Sequence, residues 1–321
     1  MGQVLAGRYE LVDLLGGGGG GDVWRTWDHR ERRYVAAKVL RQVDAASLLR
    51  FMREQACRIE HPHVLTPIGW AGEDDRVLFT MPIVTGGSAA TLLGDFGPLP
   101  APWVARILDQ TLAALVPIHD AGLVHRDVKP ANLLLDATGR AEPRIRLSDF
   151  GIAARVGDPR LTGTAALLGT LGYLPPEAIQ GHTEPTPAMD LFAVGVAGLE
   201  LSTGRQSRGA LSAAVPESLT LLLLHLTNTD PKHRPHSAAA ARAELHATGL
   251  VHTPLAPFEV EVFDQIPPFP PGWGEFGPST QSSEHVSIAS AGTRRPWPVL
   301  PIIGVLAGSG LLVAALTLAW G

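Results

Sequence analysis

The sequence predicts an α+β chain with two unequal lobes: a small β-rich N-terminal lobe carrying one main helix, and a larger helical C-terminal lobe. A linker and one C-terminal transmembrane helix follow. Three observations predict this. Short runs rich in β-branched and aromatic residues crowd the first 84 positions, with six consecutive glycines between the first two runs. The spacing of Val104, Ile107, Leu108, Leu112, Leu115 and Ile118 predicts a long amphipathic helix from Pro102 to Ala121. Val299 to Trp320 is an uncharged run of 22 residues, and about 20 apolar residues cross a bilayer core.

Taken in order, Tyr9 to Leu15 and Asp22 to Trp27 read as strands flanking the glycine run Gly16 to Gly21. The run fits Gly16-x-Gly18-x-x-Gly21-x-Val23, although six glycines satisfy almost any glycine template and also suit a flexible linker. Context separates these readings. A helix would follow in a dinucleotide-binding fold and a Gly-Lys-Ser/Thr in a Walker loop, whereas here a strand follows. The expectation is a glycine-rich hairpin turn whose backbone N–H groups can face phosphate. A third strand, Tyr34 to Leu40, carries Lys38 among Val35, Ala36 and Ala37, which suggests a cation held in a cleft with a partner. The helix from Ala45 to about Arg58 offers Glu54 as that partner. Leu65 to Ala71 and Val77 to Ile83 are two further strands, and Pro82 to Gly87 crosses between the lobes. There the Pro82 carbonyl and the Val84 N–H can bond the ring of a nucleobase, with Met81 at the back of the pocket.

The chain is organised around Leu123 to Leu135, where His125, Arg126, Asp127, Lys129 and Asn132 lie between two apolar flanks. Buried flanks would hold such a turn rigidly, as a catalytic loop requires. An acid, a cation and an amide at this spacing suit phosphoryl transfer: Asp127 can accept a hydroxyl proton, Lys129 can neutralise phosphate charge and Asn132 can bind Mg²⁺. A short strand, Ile145 to Leu147, precedes Ser148-Asp149-Phe150-Gly151, where Asp149 suits a metal-binding carboxylate.

These motifs together resemble the eukaryotic-like (Hanks-type) Ser/Thr protein kinases, most closely the bacterial membrane-anchored kind, from about Arg8 to Leu250. The resemblance implies the bilobal protein kinase fold, with ATP held by Gly16, Gly18, Gly21, Val23, Ala36, Lys38, Met81, Pro82 and Val84. Lys38 would bind the α and β phosphates and pair with Glu54. Asp127 would be the catalytic base and Lys129 would contact the transferred phosphoryl group. Asn132 and Asp149 would hold Mg²⁺, or Mn²⁺ in its place. Glu177, in Leu-Gly-Tyr-Leu-Pro-Pro-Glu, would pair with Arg234, and Asp190 would brace the catalytic loop. Arg126 beside Asp127 implies activation by phosphorylation in the loop Asp149 to Glu177, at Thr162 or Thr164, with Thr170 contacting Asp127 and Lys129. Lys129 in Asp-Val-Lys-Pro points to Ser/Thr rather than Tyr hydroxyls in protein substrates. Three departures stand out. The stretch from Glu54 to His61 is about two residues short, the glycine turn lacks an aromatic tip, and Gly204 to Pro216 leaves little room for a substrate-docking helix. The alternative is a catalytically weak, kinase-shaped signalling scaffold.

The expected organisation is an N-lobe at 1–84, a C-lobe at 85–250, a Pro/Gly-rich and mostly disordered linker at 251–298, and the transmembrane helix at 299–320. A net charge of −5 gives no general case for nucleic-acid binding. The single cysteine, Cys57, excludes an intrachain disulfide framework. The first residues lack the basic and apolar regions of a secretory signal. Arg294-Arg295 before the apolar run put the expected kinase on the cytoplasmic side of the cell membrane, as a single-pass protein without an extracellular sensor. Gly304 and Gly308 form a GxxxG pattern that permits a homodimer.

Overall fold

The structure, a computed structural model, describes residues 2–18, 21–40, 59–73, 76–149, 154–155, 171–180, 184–211, 213–256 and 260–279. All of these lie in one unit, Met1–Thr280.

The N-terminal part is an antiparallel sheet of six strands: β1 (Val4–Leu5), β2 (Tyr9–Gly18), β3 (Gly21–Asp28), β4 (Arg33–Leu40), β5 (Gly69–Glu73) and β6 (Arg76–Met81). The strand order is β1-β2-β3-β4-β6-β5. The first three glycines of the hexamer extend β2, with Gly16 opposite Val23, Gly17 opposite Asp22 and Gly18 opposite Gly21 where β3 begins. One face of the sheet packs Leu5, Tyr9, Leu11, Val35, Ala37 and Leu78 into a small core. Two expected strands are shorter than the sequence suggests. β6 ends at Met81 because Pro82 has no N–H to continue the ladder. β5 starts only at Gly69, because Val64 and Leu65 are engaged elsewhere: Val64 bridges Leu147, and the Leu65 N–H donates to the Leu147 carbonyl at 2.9 Å. The expected helix from Ala45 to Arg58, with Glu54, lies outside the described residues.

The second part is built on helices. α1 (Ala89–Phe96) is capped by Ser88, whose side chain accepts from the Thr91 N–H. α2 (Ala101–Asp120) buries Trp103, Ile107, Leu108, Leu112, Leu115 and Ile118, the face that the apolar spacing predicts. α3 (Pro176–Ile179) is short. α4 (Pro187–Thr203) is buried along most of its length and stops at Gly204 in the left-handed conformation. α5 (Glu217–Leu226) and α6 (Ala238–Ala247) follow. Among the described residues between α4 and α5, a single 3₁₀ turn, Arg208–Ala210, is formed, in keeping with the shortness of that stretch. Small strands carry the polar loops: β7 (Leu123–Val124) pairs with β10 (Ala154–Arg155), and β8 (Leu133–Leu135) pairs with β9 (Ile145–Leu147).

Within the expected linker at 251–298, residues 251–256 and 260–279 are described and depart from a disordered segment, while 257–259 and 280–298 lie outside the described residues. These described residues are docked on the rest of the chain. Val260 and Val262 are buried, and Val262 exchanges two backbone hydrogen bonds with Gly139. Farther on, β11 (Trp273–Gly274) and β12 (Gly277–Pro278) form a small hairpin. Proline and glycine remove local order, but here aromatic and cationic side chains of the N-terminal sheet supply it. Among the described residues no helix is long and apolar enough to cross a membrane, and Val299 to Trp320 lies outside them.

Candidate active site

The loop between β7 and β8 is held from within. Leu123, Val124, Val128, Leu133 and Leu135 are fully buried, so its polar residues are fixed at both ends. Asp190 of α4, with no exposed surface, braces the backbone: its two oxygens accept from the N–H groups of His125 and Arg126, each at 2.8 Å. His119, at the end of α2, donates to the same carboxylate at 2.8 Å. The sequence reading passed over His119, and its only signal was an isolated His in the last turn of an apolar helix. The buried His125 ring bonds the Ser148 carbonyl through Nε2 at 3.0 Å and accepts from the Asp127 N–H through Nδ1 at 3.3 Å. Burial holds its pKa below the usual histidine range, which suits this neutral, one-donor arrangement.

Asp127 is nearly buried, with a carboxylate ringed by two neighbours. Lys129 Nζ reaches both oxygens at 2.9 and 2.8 Å, and Asn132 Nδ2 donates to one of them at 2.8 Å and to the Asp127 carbonyl at 2.7 Å. The Asn132 amide nitrogen is thus spent on positioning Asp127, and its side-chain oxygen takes no hydrogen bond among the described residues. Asn132 also fixes the next motif: its carbonyl accepts from the Ser148 N–H at 2.9 Å, directly before Asp149. From β4, Lys38 Nζ meets the Asp149 carboxylate, so the strand lysine and the two loops converge across 111 positions of sequence. Arg126 (φ 68°) and Asp149 (φ 66°) both adopt the left-handed region. Each such non-glycine residue costs about 1–2 kcal/mol, and the Asp190 and Asn132 hydrogen bonds oppose that cost.

Arg126 is half-buried and makes no side-chain hydrogen bond or ion pair among the described residues. Burial lowers its pKa, and the charge of Asp190 partly restores it. Glu177 and Arg234 form a two-point pair at 2.6 and 2.8 Å, and Arg234 also donates to the carbonyls of Ala188 and Asn228. Nearby, the Tyr173 hydroxyl donates to Glu200, and burial followed by that carboxylate raises the tyrosine pKa. These contacts anchor 171–180 onto α4.

The remaining expected residues divide into two groups. Val23 and Lys38 pair across β3 and β4, and Ala36 pairs with Met81. After Met81, neither the Pro82 carbonyl nor the Val84 N–H has a partner among the described residues. Glu54, Thr162, Thr164 and Thr170 lie outside the described residues, so the Lys38–Glu54 pair and the threonine roles find no geometry here.

A family model described as the protein kinase domain matches residues 9–212. The chain is 32% identical to the Ser/Thr-protein kinase PrkC of Bacillus subtilis, over 76% of this chain and 41% of that protein. It is 33% identical to the Ser/Thr-protein kinase PknA of Mycobacterium tuberculosis, over 79% and 59% respectively. It is 30% identical to the Ser/Thr-protein kinase PkaA of Streptomyces coelicolor, over 94% and 63%. The chain spans about half the length of these curated relatives. With the family match covering most of the chain and the loops converging as described, the chain belongs to the protein kinase domain family.

Proposed function

We propose that the chain is a Ser/Thr protein kinase that transfers the ATP γ-phosphoryl group to Ser or Thr hydroxyls of proteins. The observation that carries this is the convergence of Asp127, Lys129, Asn132, Asp149 and Lys38 at the junction of the sheet and the helical part. Asp127 presents a carboxylate acceptor held in place by Lys129 and Asn132, suited to take the proton of an attacking hydroxyl. Lys129, already beside it, supplies positive charge where the transferred group would sit. Lys38 presents a second cation from the sheet.

The donor set fits a hard divalent cation. Asp149 offers a carboxylate and Asn132 an amide oxygen, and magnesium is commonly held by one or two protein oxygens plus phosphate oxygens and water. Among the described residues no group of three or more His, Cys, Asp or Glu side chains is gathered to hold a metal by itself. Asn132 and Asp149 would therefore hold Mg²⁺ or Mn²⁺ jointly with the nucleotide. When bound, the ion would neutralise phosphate charge.

Regulation by phosphorylation belongs to the same proposal. Arg126 is a half-buried cation beside the base with no paired anion among the described residues. A phosphothreonine brings about −1.5 to −2 charge and pairs well with Arg. Thr162 and Thr164 are the proposed acceptors, with autophosphorylation in trans. Anchoring in the cell membrane through Val299 to Trp320, a cytoplasmic kinase domain and a homodimer through Gly304 and Gly308 rest on the uncharged run, Arg294-Arg295 and the GxxxG spacing. The scaffold alternative draws no support from the described site, where the residues proposed as base, cations and metal ligands lie together.

Incubation of the chain with Mg-ATP followed by phosphopeptide mapping tests the proposal. The expected result is phosphate on Thr162 or Thr164. An enzyme active on added protein with both threonines unmodified would overturn the activation mechanism. Absence of phosphate on any protein would overturn the kinase assignment itself.

A further inference from the structure

The described C-terminal segment follows a continuous path from the helical part, past the lobe crossing, to the sheet. Val262 is tied to Gly139 in both directions, at 2.8 and 3.0 Å. The Gln265 N–H then donates to the Thr85 carbonyl at 2.6 Å. Arg25 of β3, only 3% exposed, is fixed by Asp13 and turns Nη2 to the carbonyls of Pro267 and Pro268 at 3.0 and 3.1 Å. The Phe269 ring lies 4.4 Å from the Arg25 guanidinium and 4.9 Å from the Tyr34 ring. The Tyr34 hydroxyl donates to the Gly274 carbonyl at 2.6 Å.

Two glycines show how closely this path is fitted. A Cβ on Gly86, in the lobe crossing, would stand 2.6 Å from a Val262 methyl and 2.7 Å from the Leu135 carbonyl. A Cβ on Gly277 would stand 2.6 Å from the Trp27 ring, and Gly277 has φ 108°, where L side chains are strained. Four prolines between 267 and 271 restrict the free segment, so docking costs less chain entropy. They also bring no N–H groups that the sheet face would leave unpaired.

The docking face is specific. β3 and β4 pair without a bulge, as Val23–Lys38, Arg25–Ala36 and Trp27–Tyr34. Strand alternation therefore places Val23, Arg25, Trp27, Tyr34, Ala36 and Lys38 on one face. The segment covers the Arg25–Trp27–Tyr34 end of that face, beside the residues expected to meet ATP. The lobe crossing that it passes is itself bonded to the helical part, Gly86 N–H to Leu135 carbonyl at 2.7 Å and Leu135 N–H to Gly87 carbonyl at 2.9 Å.

We propose that residues 260–279 are an intramolecular ligand, a strap whose docking on Arg25, Trp27 and Tyr34 locks the lobe crossing and raises nucleotide affinity. The sheet end is a recognition site for a proline–aromatic peptide, and its occupant is this chain's own segment. By tying Gly139, Thr85 and Arg25 into one path, the strap limits movement of the sheet relative to the helical part. A preorganised cleft loses less freedom on binding. The effect on affinity rests on the kinase reading, whereas locking of the crossing does not.

The test uses the full chain with Phe269→Ala and Trp273→Ala combined, which removes two rings that lie 4.9 and 6.3 Å from that of Tyr34 and do not touch Asp127, Asn132 or Lys38. Hydrogen exchange at Val262 and Gln265 reports strap attachment, and exchange at Gly86 and Leu135 reports the crossing. The expected result is exchange about tenfold faster at all four amides. The KM for ATP should rise about threefold with kcat little changed, and added peptide 260–279 should reverse the rise. Release of Val262 and Gln265 with Gly86 and Leu135 still protected would overturn the proposal. So would a segment that stays attached without its two aromatic anchors, or an unchanged KM after release. A wild-type chain that binds no Mg-ATP would count against the kinase reading, while the exchange data would still decide the strap.

Discussion

The loop from Leu123 to Leu135 and the strap from 260 to 279 are held in opposite ways. The loop is fixed by buried groups, many of them close in sequence. Lys129 and Asn132 grip Asp127 two and five positions away, and one fully buried carboxylate, Asp190, braces it from 65 positions off. Most residues of the strap are exposed. Its anchors, Arg25 and Tyr34, lie 242 and 240 positions away. The difference teaches that buried charge makes the loop rigid and sensitive to one substitution, whereas the strap is a sum of surface contacts that can be detached by degrees.

That contrast is breakable. Asp190→Ala should have the largest effect, because it leaves the N–H groups of His125 and Arg126 buried without an acceptor. A loss of about 3 kcal/mol is expected in denaturant unfolding, with activity abolished. A loss below about 1 kcal/mol would mean that the loop does not depend on one buried carboxylate. Gly86→Val touches both regions, since its side chain would collide with Val262 of the strap and the Leu135 carbonyl beside the loop. Overpacking there should cost about 2 kcal/mol and speed exchange at Val262 and Leu135 together. Release at only one of them would separate the strap from the crossing.

Tyr34→Phe sharpens the comparison from the strap side. It removes the bond to the Gly274 carbonyl and keeps the ring contacts, so about 1 kcal/mol is expected, confined to exchange of 273–279. The smallest effect concerns pH. The pKa of His125 is held down in the folded chain, so the unfolded chain binds its proton first as pH falls. Stability should therefore be lost below about pH 6.5, the ordinary histidine value. His125→Gln should flatten that part of the pH profile of thermal unfolding relative to wild type, and an unaltered slope would contradict a neutral, buried ring.

The loop was legible because its chemistry is local. His125, Arg126, Asp127, Lys129 and Asn132 sit within eight positions between apolar flanks, and α2 announced itself by period. Asp190 and the Glu177–Arg234 pair were named only through family resemblance, since nothing in their local sequence says what they bond. The strap was misread because composition measures local tendencies. Pro267 to Pro271 look unable to pack, and no window of sequence contains both those prolines and Arg25, which donates to the carbonyls of Pro267 and Pro268. β5 was overextended for the same reason: the partner that draws Val64 and Leu65 away is Leu147.

The most direct measurement of the central claim is transfer of labelled phosphate from Mg-ATP to a protein acceptor by wild type and Asp127→Asn, with both shown to be folded. The account predicts incorporation on Ser and Thr by wild type, and a rate about 10³-fold lower when the carboxylate is gone. Transfer by Asp127→Asn at a rate close to wild type would contradict it.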